Sequence, residues 1–137
     1  MKHYVLDACA LLAILRNEAG ADEVNAVIDA AHNCKVTLVM NKLNLLEVYY
    51  VIRRSLGKER ADYIISELKK RPITINQEIT DEIFSEAGRM KAEYKISLAD
   101  SIVLAEASVS GGELLTTDHH EFDAVEEKEK IKFRWIR

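Results

Sequence analysis

Apolar positions along the chain switch between strand-like runs and helical spacing. His3-Tyr4-Val5-Leu6 is a short β-type run closed by Asp7. From Ala8 to about Asn17 the residues favour a helix, with Leu11, Leu12 and Leu15 on one side, and Gly20 interrupts it. Helical spacing resumes from Ala21 to about His32 through Val24, Val27 and Ile28. Lys35-Val36-Thr37-Leu38-Val39 is β-branched and short, so it predicts a second strand. Asn41 predicts the N-cap of a helix to about Leu56, with Gly57 as its stop. A further helix runs from Lys58 to Lys70, with Ile64, Ile65 and Leu68 apolar. The only proline, Pro72, opens a strand at Ile73-Thr74-Ile75. Residues 78–93 predict a helix with Ile79, Ile83, Phe84, Ala87 and Met90 inward, and Ser97 starts another that ends near Gly111-Gly112. Leu114 to Thr117 is a fourth strand. Ile131 to Ile136 is a fifth, after a charged turn from Glu126 to Lys130.

Strands thus alternate with helices or helix pairs throughout. That order predicts an α/β fold of three layers, α/β/α, around a mostly parallel five-stranded sheet covered on both faces. There is no internal repeat, low-complexity tract or linker, and 137 residues suit one domain spanning 1–137. No apolar run approaches the roughly 20 residues of a membrane span, and the N-terminus lacks a signal-peptide pattern. The expectation is a soluble, cytoplasmic protein with no membrane partner.

The formal net charge is −4, from 19 basic and 23 acidic side chains. This argues against a general nucleic-acid coat without excluding a nucleic-acid enzyme, since four clustered acids would account for the whole deficit. Basic residues group at Arg53, Arg54, Lys58 and Arg60, then at Lys69, Lys70 and Arg71. They read either as solvated helix ends or as a rim that contacts phosphate. Cys9 and Cys34 lack the spacing of a zinc site, and their apolar neighbours predict two buried small side chains.

Four acids carry the candidate chemistry. Asp7 ends the first strand, where it could simply cap the following helix. Glu47 shares a helix side with Leu43, Leu46 and Tyr50, so its carboxylate is expected along an apolar stripe, where it needs a cation or a distant arginine. Asp100 follows Ser97 at capping-box spacing, yet it also shares a face with Ile96, Val103, Leu104 and Ala107. Asp118 leaves the fourth strand, where an Asx-turn is the plainer reading, and His119 and His120 after it read as loop residues. A parallel sheet gathers strand C-ends and helix starts at one edge. Four carboxylates there repel one another unless a divalent cation neutralises them, and an oxygen-only set points to Mg²⁺ or Mn²⁺.

At this point the chain resembles the PIN-domain ribonucleases, and among them the VapC-type toxins of toxin–antitoxin pairs. The resemblance rests on Tyr4-Val5-Leu6-Asp7, on Asn44-Leu45-Leu46-Glu47, on Leu98-Ala99-Asp100-Ser101 with Ala105, and on Leu115-Thr116-Thr117-Asp118 followed by Phe122. It implies a five-stranded parallel sheet, a metal-dependent endoribonuclease acting on RNA, frequent homodimers and an antitoxin partner. It also implies that Asp7, Glu47, Asp100 and Asp118 are the acidic quartet that holds the metal. Thr116 matches a small hydroxyl residue two before the last acid, and Asp123 an extra acid of some relatives. For the dimer, Tyr63 and Ile64 on the helix from Lys58 are the expected apolar contacts.

Two enzyme rivals fit less well. Haloacid-dehalogenase phosphatases need a second aspartate two residues after the first, where this chain has Cys9. Asp118-His119-His120 is similar to the motif of DHH phosphoesterases, but the chain is too short for their two domains. The non-enzyme alternative is a degenerate PIN-like module that binds RNA or acts as a scaffold.

Overall fold

The structure, a computed structural model, describes residues 1–117 and 119–137, with the side chains of all of these except His119 and His120. In chain order the elements are β1 (Lys2–Leu6), α1 (Ala8–Leu15), α2 (Ala21–His32), β2 (Val36–Asn41), α3 (Lys42–Leu56) and α4 (Lys58–Leu68). Then follow β3 (Thr74–Asn76), α5 (Asp81–Glu93), α6 (Leu98–Ser110), β4 (Glu113–Thr116), α7 (His119–Lys128) and β5 (Phe133–Trp135). The five strands form one sheet in the order β3-β2-β1-β4-β5, and every pairing is parallel.

The alternation of side chains along the strands explains the layers. Tyr4 and Leu6 of β1, Leu38 and Met40 of β2 and Leu115 of β4 point to one face, where they pack with Leu11, Val24, Val48 and Ile52 from α1, α2 and α3. Val5 and Leu114 point to the other, against Met90 of α5, Val103 and Leu104 of α6, and Phe122 and Val125 of α7. Strands buried on both faces carry near-continuous apolar sequence, as these do. The expected three-layer α/β fold is the fold observed.

Caps account for several boundaries. The Asn41 side chain accepts from the Leu43 amide at 2.9 Å and starts α3, and Gly57 at φ 90 ends it. Ser97 and Asp100 form a reciprocal capping box at the start of α6, and Gly111 ends it in the left-handed region at φ 72. The helix starts and stops expected at Asn41, Gly57, Ser97 and Gly111 are therefore the observed ones.

Four expectations need correction. The charged stretch before β5 is not a turn from Glu126: α7 runs to Lys128, and Phe122 and Val125, three apart, bury its inner side. Ile79 and Phe84 do not face inward. The buried side of α5 is Ile83, Ala87 and Met90, Ile79 precedes the helix, and Phe84 is 74% exposed. Of the two cysteines, Cys34 is exposed, because it sits in the turn after α2 with φ 59, and Cys9 is only half-buried. On α3 the buried side is Asn44, Leu45, Val48 and Ile52, so Leu46 and Tyr50 face outward. Of the stripe expected around Glu47 only Leu43 packs against the core, and Glu47 itself stands half-buried.

Phe122 is the bulkiest of the fully buried side chains, so it decides how α7 holds to the sheet. Phe122→Ala should lower unfolding free energy by about 3–5 kcal/mol through lost burial and a residual cavity. Urea unfolding followed by circular dichroism checks this; a loss below about 1 kcal/mol would mean that α7 is not packed as described.

Candidate metal centre at the carboxyl edge of the sheet

β2 and β3 lie on one side of β1, β4 and β5 on the other. The strand order therefore reverses between β1 and β4, and a crevice at the carboxyl ends of such strands is where open α/β sheets bind ligands. The pairing places Leu6 opposite Leu115, and the Asp7 amide continues the ladder by donating to the Leu115 carbonyl at 3.2 Å. Asp7 and Thr116 consequently leave their strands side by side.

Asp7 occupies the N-cap position of α1, yet its side chain makes no capping hydrogen bond. Its Oδ2 instead accepts from the Thr116 hydroxyl at 2.7 Å and from the Cys9 thiol at 3.1 Å. Asp7 is 4% exposed and Thr116 fully buried. A plain cap is thereby rejected: the carboxylate turns across the sheet toward β4. Burial, then the charge of Asp7, pushes the Cys9 thiol up to about 12, against an ordinary 9.0. Cys9 therefore stays protonated and serves Asp7 as a donor.

Asp100 is 9% exposed in the first turn of α6. One of its oxygens accepts the Ser97 amide at 3.4 Å, so the capping box expected as the plainer reading is present. It does not account for the burial of the carboxylate among residues of the core face. Asn44 of α3 donates to the carbonyl of Ala99 at 3.0 Å and so ties α3 to the turn that carries Asp100. Glu47 lies three residues after Asn44, on the same side of α3.

The structure thus joins Asp7 to Thr116, and the start of α3 to the start of α6. Asp118 lies outside the described residues. Among the described residues no group of three or more His, Cys, Asp or Glu side chains is drawn together closely enough to hold a metal ion. The available donors are carboxylate oxygens, and the buried Oδ1 of Asn44 has no hydrogen-bond partner among the described residues. In kind this set fits a hard cation such as Mg²⁺ or Mn²⁺, while the described residues alone do not complete a site. Sequence reasoning missed two participants. The apolar neighbours of Cys9 predict only a buried small side chain, although its position two after Asp7 places it beside that carboxylate. Asn44 carries no signal beyond its place in the motif, although an amide three before Glu47 shares its helix side.

A doubly wound sheet with a buried acid at its reversal point has the architecture of α/β proteins whose ligands bind at the carboxyl edge. Within that class, the family profile of the PIN domain matches residues 4–128, and the chain belongs to the PIN domain family. No curated protein sequence matches it. Several solved structures share the fold at low identity. VapBC2 from Rickettsia felis, bound to a DNA fragment from the promoter, aligns at 17% identity and TM-score 0.75 over 96% of this chain and 97% of that one. DNA-bound VapBC from Salmonella typhimurium aligns at 16% and 0.74 over the whole of both chains. The Mycobacterium tuberculosis sarcin–ricin loop cleaving toxin VapC20 aligns at 12% and 0.64 over 81% of this chain and 86% of that one.

The contrast between the two thiols is directly measurable. At pH 8, iodoacetamide should alkylate exposed Cys34 in the folded protein and leave Cys9 at least about tenfold slower, because the thiolate is the nucleophile. Peptide mass spectrometry reads both sites, and denaturation should abolish the difference; equal rates in the folded state would contradict a protonated Cys9.

Proposed function

We propose that residues 1–137 form a single PIN-like nuclease domain, a cytoplasmic endoribonuclease dependent on Mg²⁺ or Mn²⁺. It is proposed to act as the toxin of a toxin–antitoxin pair. The observation that carries this reading is the buried carboxylate of Asp7, engaged by Thr116 and Cys9 instead of capping its helix. Membership of the PIN family supports nuclease chemistry. The fold shared with VapBC complexes supports an antitoxin protein as partner, and the fold shared with a toxin that cleaves the sarcin–ricin loop supports RNA as substrate. Among the described residues no helix is long and apolar enough to cross a membrane.

In this reading Asp7, Glu47, Asp100 and Asp118 hold the cation. Bound Mg²⁺ or Mn²⁺ supplies a Lewis acid that acidifies water and offsets phosphate charge. Asp7 and Asp100 would be the direct ligands. Glu47 and Asp118 would complete the set directly or through water and would orient a water toward phosphorus, so that hydrolysis would leave a 5′-phosphate and a 3′-hydroxyl. Thr116 holds the Asp7 carboxylate in place by its 2.7 Å hydrogen bond, as outer partners of metal ligands do. The runner-up is a degenerate PIN-like RNA-binding or scaffold module.

Asp7→Asn separates the two. Asn keeps the shape of Asp and can still accept from Thr116 and Cys9, so the fold should hold. Melting in EDTA should be unchanged or higher, because a repelling charge has gone. Cleavage of single-stranded RNA in Mn²⁺ should fall by about 100-fold or more, and the stabilisation of wild type by millimolar Mn²⁺ should be lost. Wild type without Mn²⁺-dependent cleavage, or a variant as fast as wild type, would favour the degenerate module.

A homodimer is also proposed, on a different surface from the one expected. Ile64 packs partly onto the core, while Tyr63 stays exposed, as do Tyr50 and Leu56 on α3. A second apolar exposure lies on α5 and α6, where Phe84 and Leu98 (74% and 61% exposed) border a groove of about 510 Å³ with Ile79 and Ile102. In a two-fold interface each such residue is buried twice, at roughly 1.5–3 kcal/mol per large side chain. Phe84→Ser should shift the protein toward monomer by at least about tenfold in dissociation constant, read by light scattering at micromolar concentration. An unchanged dimer, or a monomeric wild type, would remove this surface.

A further inference from the structure

Glu106 is a buried carboxylate that the mechanism above does not use. It sits on α6, less than two turns beyond Asp100, and is 5% exposed. Among the described residues it has no lysine or arginine partner, so its charge is met otherwise. Its Oε1 accepts from Asn41 Nδ2 at 3.0 Å and also from Asn76 Nδ2. These two asparagines are the last residues of β2 and β3 and stand opposite each other in the parallel register. Each is fixed at its other end. Asn41 Oδ1 accepts from the Leu43 amide at 2.9 Å and caps α3, and Asn76 Oδ1 accepts from the Glu78 amide at 3.2 Å. Neither amide can therefore turn over without losing a backbone partner.

An oxygen acceptor is what this junction calls for, because two amide donors converge on one point. Burying a charge to meet two neutral amides is costly compared with an apolar residue of similar volume. What the arrangement gives is geometry: the first turn of α3, which leads to Asn44 and Glu47, is locked onto α6, which carries Asp100. Asn44 adds a second tie between the same helices through the Ala99 carbonyl.

We propose that Glu106 is a positioning residue for the acidic edge: through Asn41 it sets the start of α3 against α6, and so sets Glu47 relative to Asp100. The proposal rests on the nuclease reading. Both amides meet a single oxygen, so the bonds require an acceptor at that point and not a full negative charge. Gln can supply its carbonyl there; Leu cannot. Asn41→Ser provides an independent route, because Ser still caps α3 but no longer reaches Glu106.

The experiment compares wild type, Glu106→Gln, Glu106→Leu and Asn41→Ser. Mn²⁺ affinity is measured by electron paramagnetic resonance without RNA, kcat and KM for single-stranded RNA are measured in Mn²⁺, and melting is followed in EDTA. Glu106→Leu and Asn41→Ser should each weaken Mn²⁺ binding by about tenfold or more and lower kcat with little change in KM for RNA. Glu106→Gln should restore both to within about threefold of wild type. The double variant should be no worse than the worse single one, because both remove one tie. If Glu106→Leu does not fold, Asn41→Ser decides by the same readouts. Variants that melt earlier yet bind Mn²⁺ and cleave like wild type would show a merely structural role and overturn the proposal. So would failure of Glu106→Gln to rescue, which would mean that the charge itself is needed. A wild type that neither binds Mn²⁺ nor cleaves RNA would overturn the nuclease reading, and this proposal with it. That outcome is distinct because it appears before any variant is compared.

Discussion

The pairing of β1 with β4 is the constraint on which the rest depends. It brings residues 109 positions apart into a hydrogen bond, from Thr116 Oγ1 to Asp7 Oδ2. It also marks the point where the strand order reverses. Asp7 carries a charge that is almost wholly removed from water, and an isolated buried carboxylate is expensive. Two donors, a hydroxyl and a protonated thiol, lessen that cost without cancelling the charge. Ordinary fold economy would place an apolar residue or an exposed cap there. A carboxylate held against that economy at the carboxyl edge is the observation on which the proposed metal-dependent chemistry rests.

The acids are carried by two kinds of support. Asp7 rides directly on the sheet, at the end of a strand bonded on both sides. Glu47 and Asp100 ride on helices, whose relative placement is softer and is set by side chains. Polar ties between α3 and α6 supply that placement: Asn44 to the Ala99 carbonyl, and Asn41 to Glu106. These bonds are buried and specific in direction, whereas apolar packing between helices tolerates small slides. A site that depends on carboxylate separation needs the former kind of contact.

How far the sequence could be read follows from this division. The strands and most helix ends were legible because they depend on local features: β-branched runs, Asn41 and Ser97 as caps, Gly57 and Gly111 as stops. The position of Asp7 is legible too, because it follows a strand at once, whereas Thr116 enters only through the family resemblance. α7 was missed because its exterior is densely charged and only Phe122 and Val125 mark its inner side. Phe84 was misread because one helical step separates it from Ile83, and side-chain direction over such a step is decided by which neighbour arrives. Glu106 was invisible for a different reason. Its partners, Asn41 and Asn76, are 65 and 30 residues away, and nothing local requires a carboxylate inside an apolar helix face.

The shared fold at 16–17% identity bears on what can be inferred from it. Two apolar faces on a parallel sheet can be filled by many combinations of Leu, Ile, Val and Met, since cores tolerate exchange when volume and pattern are kept. The sheet and its layers therefore persist with little common sequence, and fold alone says little about chemistry. The edge residues differ in kind. Thr116 must present a hydroxyl to Asp7, and Asn41 must use both ends of its amide, one on the α3 backbone and one on Glu106. No apolar substitute meets those demands. Function in this chain is accordingly tested at the few polar groups that the core does not need, and not by how closely the core superposes on a relative.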